Sequence, residues 1–200
     1  MDDKDTSIDE ISDVLDKDAL IDEILNIELD MFLSVPAVNK ECQESPGSFK
    51  LVRRSALETW AASTLRSYLG DLTEASREDR NLMTEKYARI DGHIPFMSIN
   101  PVLDKIIKII IGFRSELTQK YPRLLSSQVD SGYTYGVPNF EIYLRAELET
   151  YSNETLDFYF QDVSEALADG RSILEETYSR MFQKLGYQSI EEAERLSPGQ

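Results

Sequence analysis

Several residue types that build familiar functional sites are scarce in this 200-residue chain. It has a single cysteine, Cys42, and a single histidine, His93. They exclude an internal disulfide framework and any multi-cysteine or histidine-rich metal site. The motifs G-x-x-x-x-G-K-[ST], G-x-G-x-x-G and G-x-S-x-G are also absent. The sequence therefore lacks the signatures of phosphate-loop, dinucleotide-binding and hydrolase-elbow sites.

Positive charge is also in short supply. Acidic residues outnumber basic ones 37 to 21, which gives a formal net charge of −16. Such a chain repels phosphate backbones and anionic lipid surfaces, so we expect no nucleic-acid partner and no membrane partner. The start, MDDKDTSIDE, resembles no secretory signal, and no apolar run approaches the ~18 residues of a membrane span. We therefore expect a soluble, cytoplasmic protein.

The pattern of apolar residues indicates one all-α domain. Hydrophobic residues make up 41% of the chain, enough for one substantial core, and the long segments follow helical spacing without β-hairpin signals. Prolines, glycines and capping residues between these segments predict a bundle of seven to nine helices, the first of which starts at Asp18. We predict an acidic, partly flexible segment at 1–17, the helical domain at 18–196 and a tail at 197–200.

Four charged residues interrupt the apolar faces of different predicted helices. Glu28 lies in the face of Ile21, Ile24, Leu25, Leu29 and Phe32, and the other three occupy equivalent places in their helices: Arg53, Lys86 and Glu147. Their formal charges cancel. A lone buried ion costs several kcal/mol, so these four positions make sense if the side chains meet one another or line a wet cavity.

Three interpretations of these charges remain open at this point. The first is a buried salt-bridge network that fixes helix register and binds nothing. The second is a pocket between helices for a small polar ligand or a partner protein, with candidate ligand-binding residues Glu28, Arg53, Lys86, Tyr87, Arg145, Glu147 and Tyr151. The third is an enzyme for a small metabolite, in which Glu28 and Glu147 are acid/base candidates and Cys42 is a candidate nucleophile if His93 reaches it.

No metal site is predicted, and the sequence identifies no cofactor. A di-iron bundle usually needs Glu-x-x-His on two helices, and the chain has no such motif. A magnesium or calcium site made of carboxylates alone is the remaining alternative.

Several segments together resemble a bacterial family known only as a domain of unknown function. They are LIDEILNIELDMFLSV, CQESPGSFKLVRRSALETW, SYLGDLTEA, RNLMTEKYARI and FEIYLRAELETYSNETLDFY. The likeness extends from about Leu20 to Glu194. The recognisable motifs of the family correspond here to Glu28, Cys42, Gln43, Arg53 or Arg54, Trp60, Asn81, Glu85, Lys86, Tyr87, Tyr143, Arg145, Glu147 and Tyr151.

The resemblance implies that the interrupted faces form a site, because the family motifs include the four charged positions. It also implies an accessory or substrate-handling role, since some members of the family are joined to, or encoded beside, a nucleotidyltransferase-like domain. After Ile90 the chain departs from the family pattern, where DGHIPF replaces a stretch with Met and Tyr.

Overall fold

The structure is a computed structural model that describes residues 5–36, 45–97, 100–129 and 139–197, with side chains over these ranges except 5–15 and 126–129. Every regular element in these ranges is an α-helix, so the predicted all-α fold is confirmed. The described helices are α1 (Asp5–Leu33), α2 (Pro46–Leu57), α3 (Ala62–Arg77), α4 (Leu82–Ile90), α5 (Pro101–Lys120), α6 (Pro122–Val129), α7 (Phe140–Leu148), α8 (Asn153–Ala168), α9 (Ile173–Lys184) and α10 (Ile190–Leu196).

The predicted count of seven to nine helices is too low, because the described ranges contain ten. The unpredicted helix is α6, which begins at Pro122 directly after α5 ends. Proline stops a helix because it lacks an N–H, but the same property suits the first turn of the next helix. The first helix also begins at Asp5 and not at Asp18, in keeping with the helical spacing of Ile8, Ile11 and Leu15.

Several helix starts follow local capping chemistry. Asn81, Ser152 and Ser189 precede α4, α8 and α10, and each side chain accepts a backbone N–H from the first turn of its helix. Gly170 and Gly186 follow α8 and α9 with positive φ angles, the conformation that ends a helix most easily at glycine.

The main core forms where α1 packs on α2, α3 and α4 while α5 packs on α8. Ile21, Ile24 and Leu25 of α1 are almost completely buried there, and each such side chain contributes about 1.5–3 kcal/mol of hydrophobic stabilisation. A smaller apolar cluster joins α5, α6 and α10. Helix α2 also packs on α9, and α4 packs on α7. These two helix pairs carry most side chains of the candidate site. No helix in the described ranges has the length and apolar character needed to cross a bilayer.

Candidate functional site

The four interrupting charges lie on four helices that local features hold in place. Glu28 is on α1, Arg53 on α2, Lys86 on α4 and Glu147 on α7. The Asn81 cap ties α4 to α1, because its side-chain amide also donates a 2.8 Å hydrogen bond to the Met31 carbonyl. The helical period then turns each charged side chain toward the same interior region.

These side chains form one continuous chain of ion pairs. The Arg53 guanidinium contacts both carboxylate oxygens of Glu28, from Nε at 2.9 Å and from Nη2 at 2.5 Å. Its Nη1 donates to Glu147 Oε1 at 2.6 Å, and Lys86 Nζ donates to Glu147 Oε2 at 2.8 Å. Two negative and two positive charges alternate along this chain, which we call the charge network, so its formal charge is zero.

Two tyrosine hydroxyls complete the hydrogen bonding of the carboxylates. Tyr68 on α3 donates to Glu28 Oε1 at 2.8 Å, and Tyr151 donates to Glu147 Oε1 at 3.0 Å. Burial and the nearby Glu28 carboxylate raise the pKa of Tyr68 well above its ordinary value. The hydroxyl therefore remains a proton donor throughout the physiological range.

Solvent exposure differs along the charge network. The Glu28 side chain is 0% exposed, whereas Arg53 is 13%, Glu147 is 17% and Lys86 is 5% exposed. The Glu28 end is therefore sealed in the core, and the Glu147 end borders open space. One part of the network is thus a buried ion pair, and the other lies at the edge of the packed interior.

Mutual attraction keeps Glu147 and Lys86 ionised. Burial opposes the charge on Glu147, but Arg53 and Lys86 outweigh burial and hold the pKa of this carboxylate far below its usual range. Burial likewise opposes the charge on Lys86, but Glu147 and then Tyr143 outweigh it and raise the Lys86 pKa above its ordinary value. Lys86 is therefore an ammonium ion, and Glu147 is a weakly basic carboxylate.

We expect Tyr68→Phe to lower the free energy of unfolding by about 2 kcal/mol, the range for a hydrogen bond to a charged group. The buried Glu28 carboxylate would lose one of its donors and gain no water in exchange. Urea unfolding at pH 7 measures the change, with an unaltered slope as the sign of a purely native-state effect. Tyr159→Phe is the matched control, because no hydrogen bond of the Tyr159 hydroxyl is found within the described residues. Equal losses in both variants would contradict the assigned role.

A cleft of about 630 Å³ opens beside Lys86 and Glu147. Its walls come chiefly from α2, α4, α7 and α9, with further residues from the turns after α2 and α7. Ligand pockets in proteins usually enclose about 300–1,000 Å³. The cleft thus has the size that a small molecule requires.

Most of the wall is apolar and aromatic. Among the described residues, eight aromatic side chains line the cleft: Phe32, Phe49, Trp60, Tyr87, Phe140, Tyr143, Tyr151 and Tyr159. Several support one another, because the Trp60 ring lies 4.9 Å from the Tyr159 ring and the Phe32 ring stacks on Phe49 at 4.6 Å. Such packed rings form a rigid surface for flat apolar groups.

The predicted site residues do not all meet. Tyr87 and Tyr151 line the cleft with Arg53, Lys86 and Glu147. Glu28 contacts Arg53 but is not itself among the residues that line the cleft. Arg145 faces elsewhere, where its guanidinium pairs with Asp104 of α5.

The two remaining residues of the enzyme interpretation are not at the cleft. His93 is exposed in the turn after α4, and it is not among the cleft residues. Cys42 lies outside the described residues. Within the described part of the chain, no three His, Cys, Asp or Glu side chains are grouped as a metal site would require.

Sequence reasoning missed three tyrosines of this region as functional candidates: Tyr68, Tyr143 and Tyr159. The ring of Tyr143 lies 3.9 Å from Lys86 Nζ, so it contributes a cation–π contact to the site. The position of Tyr68 in an apolar helical face could have identified it. A buried tyrosine needs a hydrogen-bond partner for its hydroxyl, just as a buried charge needs an ion partner.

A second charged pair was also missed. The Glu149 side chain is 2% exposed and faces Arg89 Nε at 3.4 Å, between the ends of α4 and α7. Glu149 also accepts the Met97 backbone N–H at 2.9 Å, which holds the segment after α4 at that residue. Because Arg89 and Glu149 do not line the cleft, this pair is a structural link between the two helices.

In comparisons with known proteins, no curated protein and no solved structure matches this chain. A family model does match, over residues 18–195, and its description assigns no activity. The match covers all the residues of the charge network and of the cleft wall. The chain therefore belongs to the family described as protein of unknown function DUF4125.

Proposed function

We propose that the chain is a helical binding module that holds a small ligand in the cleft between α2, α4, α7 and α9. The observation that carries this proposal is the contrast within the cleft, whose largely aromatic wall also contains three charged side chains, Arg53, Lys86 and Glu147. Ligand pockets commonly have this composition, with an apolar body for affinity and a few polar groups for orientation.

The protonation states favour binding over acid/base catalysis at this site. A general base works best with a pKa near the operating pH, and the pKa of Glu147 lies far below it. A nucleophilic lysine needs a lowered pKa, whereas the pKa of Lys86 is raised. Both groups are therefore suited to hold a ligand by fixed charges and hydrogen bonds.

The test uses the neutral fluorescent dye N-phenyl-1-naphthylamine as a probe. Trp60 lines the cleft and is the only tryptophan of the chain, so energy transfer from Trp60 to the dye reports dye bound near it. We expect a saturable transfer signal that corresponds to one dye per chain. An unsaturable signal, or several equivalent sites per chain, would contradict a defined cleft site.

A substitution that fills the cleft provides the specificity control. Ala56 lines the cleft from α2, and Ala56→Phe adds a ring to that space. We expect this variant to weaken dye binding at least ~10-fold, since the ring occupies volume that the dye needs. Ala168→Phe makes the same change on the exposed end of α8, outside the cleft, and should bind like the unmodified protein. Equal binding by both variants would place the dye elsewhere.

A further inference from the structure

The hydrogen bonding of Lys86 restricts what the cleft accepts. An ammonium group has three N–H donors. Within the described residues, Lys86 Nζ donates one hydrogen bond, to Glu147 at 2.8 Å, and it lies over the Tyr143 ring. The side chain is only 5% exposed. Two of the three donors therefore have no hydrogen-bond acceptor among the described residues, and the Tyr143 ring can face only one of them, so a buried donor is left for an acceptor that enters from the cleft.

The charge balance adds a second restriction. Glu28, Arg53, Glu147 and Lys86 already neutralise one another through direct contacts. A ligand that brings a carboxylate would leave one negative charge without a partner, next to the Glu147 carboxylate. A ligand that brings an ammonium group would leave one positive charge beside Lys86 and Arg53. Either unpaired charge is costly in a cleft with mainly aromatic walls.

The wall supplies the third restriction. Trp60 and Tyr159 present packed rings to the cleft, and flat aromatic groups gain both buried area and ring contacts on such a surface. An apolar body of this kind fits the wall, and a single acceptor satisfies Lys86.

We propose that the cleft selects an uncharged aromatic molecule whose carbonyl oxygen accepts a hydrogen bond from Lys86. This inference rests on the proposed binding function and specifies its ligand class. It differs from an anion site, which the presence of Arg53 and Lys86 in the sequence would suggest, because both cations are already paired.

Four probes that share one phenyl ring test the selection at pH 7. They are acetophenone, with a neutral carbonyl; benzoate, an anion; benzylammonium, a cation; and ethylbenzene, without a polar group. The Trp60 indole N–H gives a single resonance in a ¹H–¹⁵N NMR spectrum, because Trp60 is the only tryptophan. Titration of each probe against that resonance yields its dissociation constant.

We expect acetophenone to bind about fivefold tighter than ethylbenzene, the factor for one ordinary hydrogen bond. Benzoate and benzylammonium should bind at least ~10-fold more weakly than acetophenone, because each adds an unpaired charge. Tighter binding of either ion than of acetophenone in the unmodified protein would overturn the inference, and this ranking requires no variant.

Two variants test the charge balance itself. Lys86→Met leaves the network with one net negative charge, so acetophenone should lose its advantage over ethylbenzene and benzylammonium should bind more tightly than benzoate. Glu147→Gln leaves one net positive charge, so benzoate should bind to this variant more tightly than benzylammonium. Lys105→Met is the matched control, since Lys105 is exposed and lies over the Phe160 ring outside the cleft. If both network variants rank the four probes by affinity as the unmodified protein does, the inference is also overturned.

The same titrations separate the two proposals. If none of the four probes gives a saturable shift and N-phenyl-1-naphthylamine also fails to bind, the proposed binding function fails. If the dye and the probes bind at the cleft but a charged probe binds best, the binding function stands and only the proposed ligand class is wrong.

Discussion

Arg53→Met is expected to lower the free energy of unfolding by about 3–5 kcal/mol, the usual cost of removing one partner from a buried ion pair. Within the part of the chain that the structure describes, Arg53 alone contacts both carboxylates of the network. Its loss leaves Glu28, which is 0% exposed, with Tyr68 as its remaining donor. Chemical denaturation at pH 7, followed by circular dichroism, measures the change.

The adjacent residue provides a matched control. Arg54 pairs with Asp18 and Asp22 at the surface, where both acidic side chains are more than half exposed. Exposed pairs contribute about 0–1 kcal/mol, so Arg54→Met should change stability by no more than this. Similar losses from Arg53→Met and Arg54→Met would show that burial of the network does not determine its energy.

A double substitution separates the unpaired charge from the lost packing. In Glu28→Met with Arg53→Met, the sealed carboxylate disappears together with its partner, while Lys86 remains paired with Glu147. Replacing a buried ion pair by apolar groups of similar volume is often nearly neutral. We therefore expect the double variant to be more stable than Arg53→Met alone. A double variant that is less stable than Arg53→Met would mean that Glu28, with Tyr68 as its donor, still stabilises the fold without Arg53 and is not a costly unpaired charge.

The presence of the charge network could be predicted from helical spacing alone. A charged residue in an otherwise apolar helical face must find a partner, because an unpaired buried ion is too costly. Four such residues with cancelling charges therefore predicted a meeting point. The order of contacts could not be predicted, because it depends on how α1, α2, α4 and α7 cross, and crossing geometry comes from tertiary packing.

Two other features, the direction of Arg145 and the cap of α3, could not be predicted from the sequence. Arg145 follows the residues of the α7 cleft face but is turned about 100° from Leu144, which directs it to Asp104 on α5.

The start of α3 lacks a side-chain cap of its own. Asp162 of α8 instead accepts the Ala61 N–H at 3.0 Å and the Thr64 hydroxyl at 2.8 Å. A cap supplied from a distant part of the chain leaves no local pattern.

The cleft was the least predictable part of the site. Apart from Tyr87 and Tyr151, its aromatic residues have the spacing of ordinary core positions, since helical spacing reports which face is apolar but not how far apart two helices lie. These apolar faces line a cleft because α2 and α9 stand apart from α4 and α7. The distinction between a sealed network and a ligand site therefore depends on structure.

The pH dependence of Glu147→Gln is the second large expected effect. At pH 7 this variant should lose about 3 kcal/mol of stability, because Arg53 and Lys86 are left with one carboxylate between them. The loss should remain constant over the neutral range, where Glu147 of the unmodified protein is fully ionised. The amide oxygen of the substituted side chain can still accept hydrogen bonds from Arg53 and Tyr151, but Lys86 loses its acceptor, so the measured loss combines the charge with one hydrogen bond.

The direction of the change in acid follows from the pKa of Glu147. Its folded-state pKa lies below the ordinary value of 4.5, so between these two values the unfolded chain binds more protons than the folded one. The contribution of Glu147 to stability is therefore complete above about pH 4.5 and declines as the pH falls through that window. The stability difference between the unmodified protein and Glu147→Gln should accordingly narrow in acid, while shared effects of other carboxylates cancel in the difference.

Urea unfolding of both proteins between about pH 3 and pH 7 measures this difference. A difference that stays constant across the whole range would contradict the lowered pKa of Glu147, because a carboxylate with the same pKa in both states contributes no pH dependence. A difference that widens in acid would contradict the stabilising ion pairs with Arg53 and Lys86, since it requires a folded-state pKa above the unfolded one.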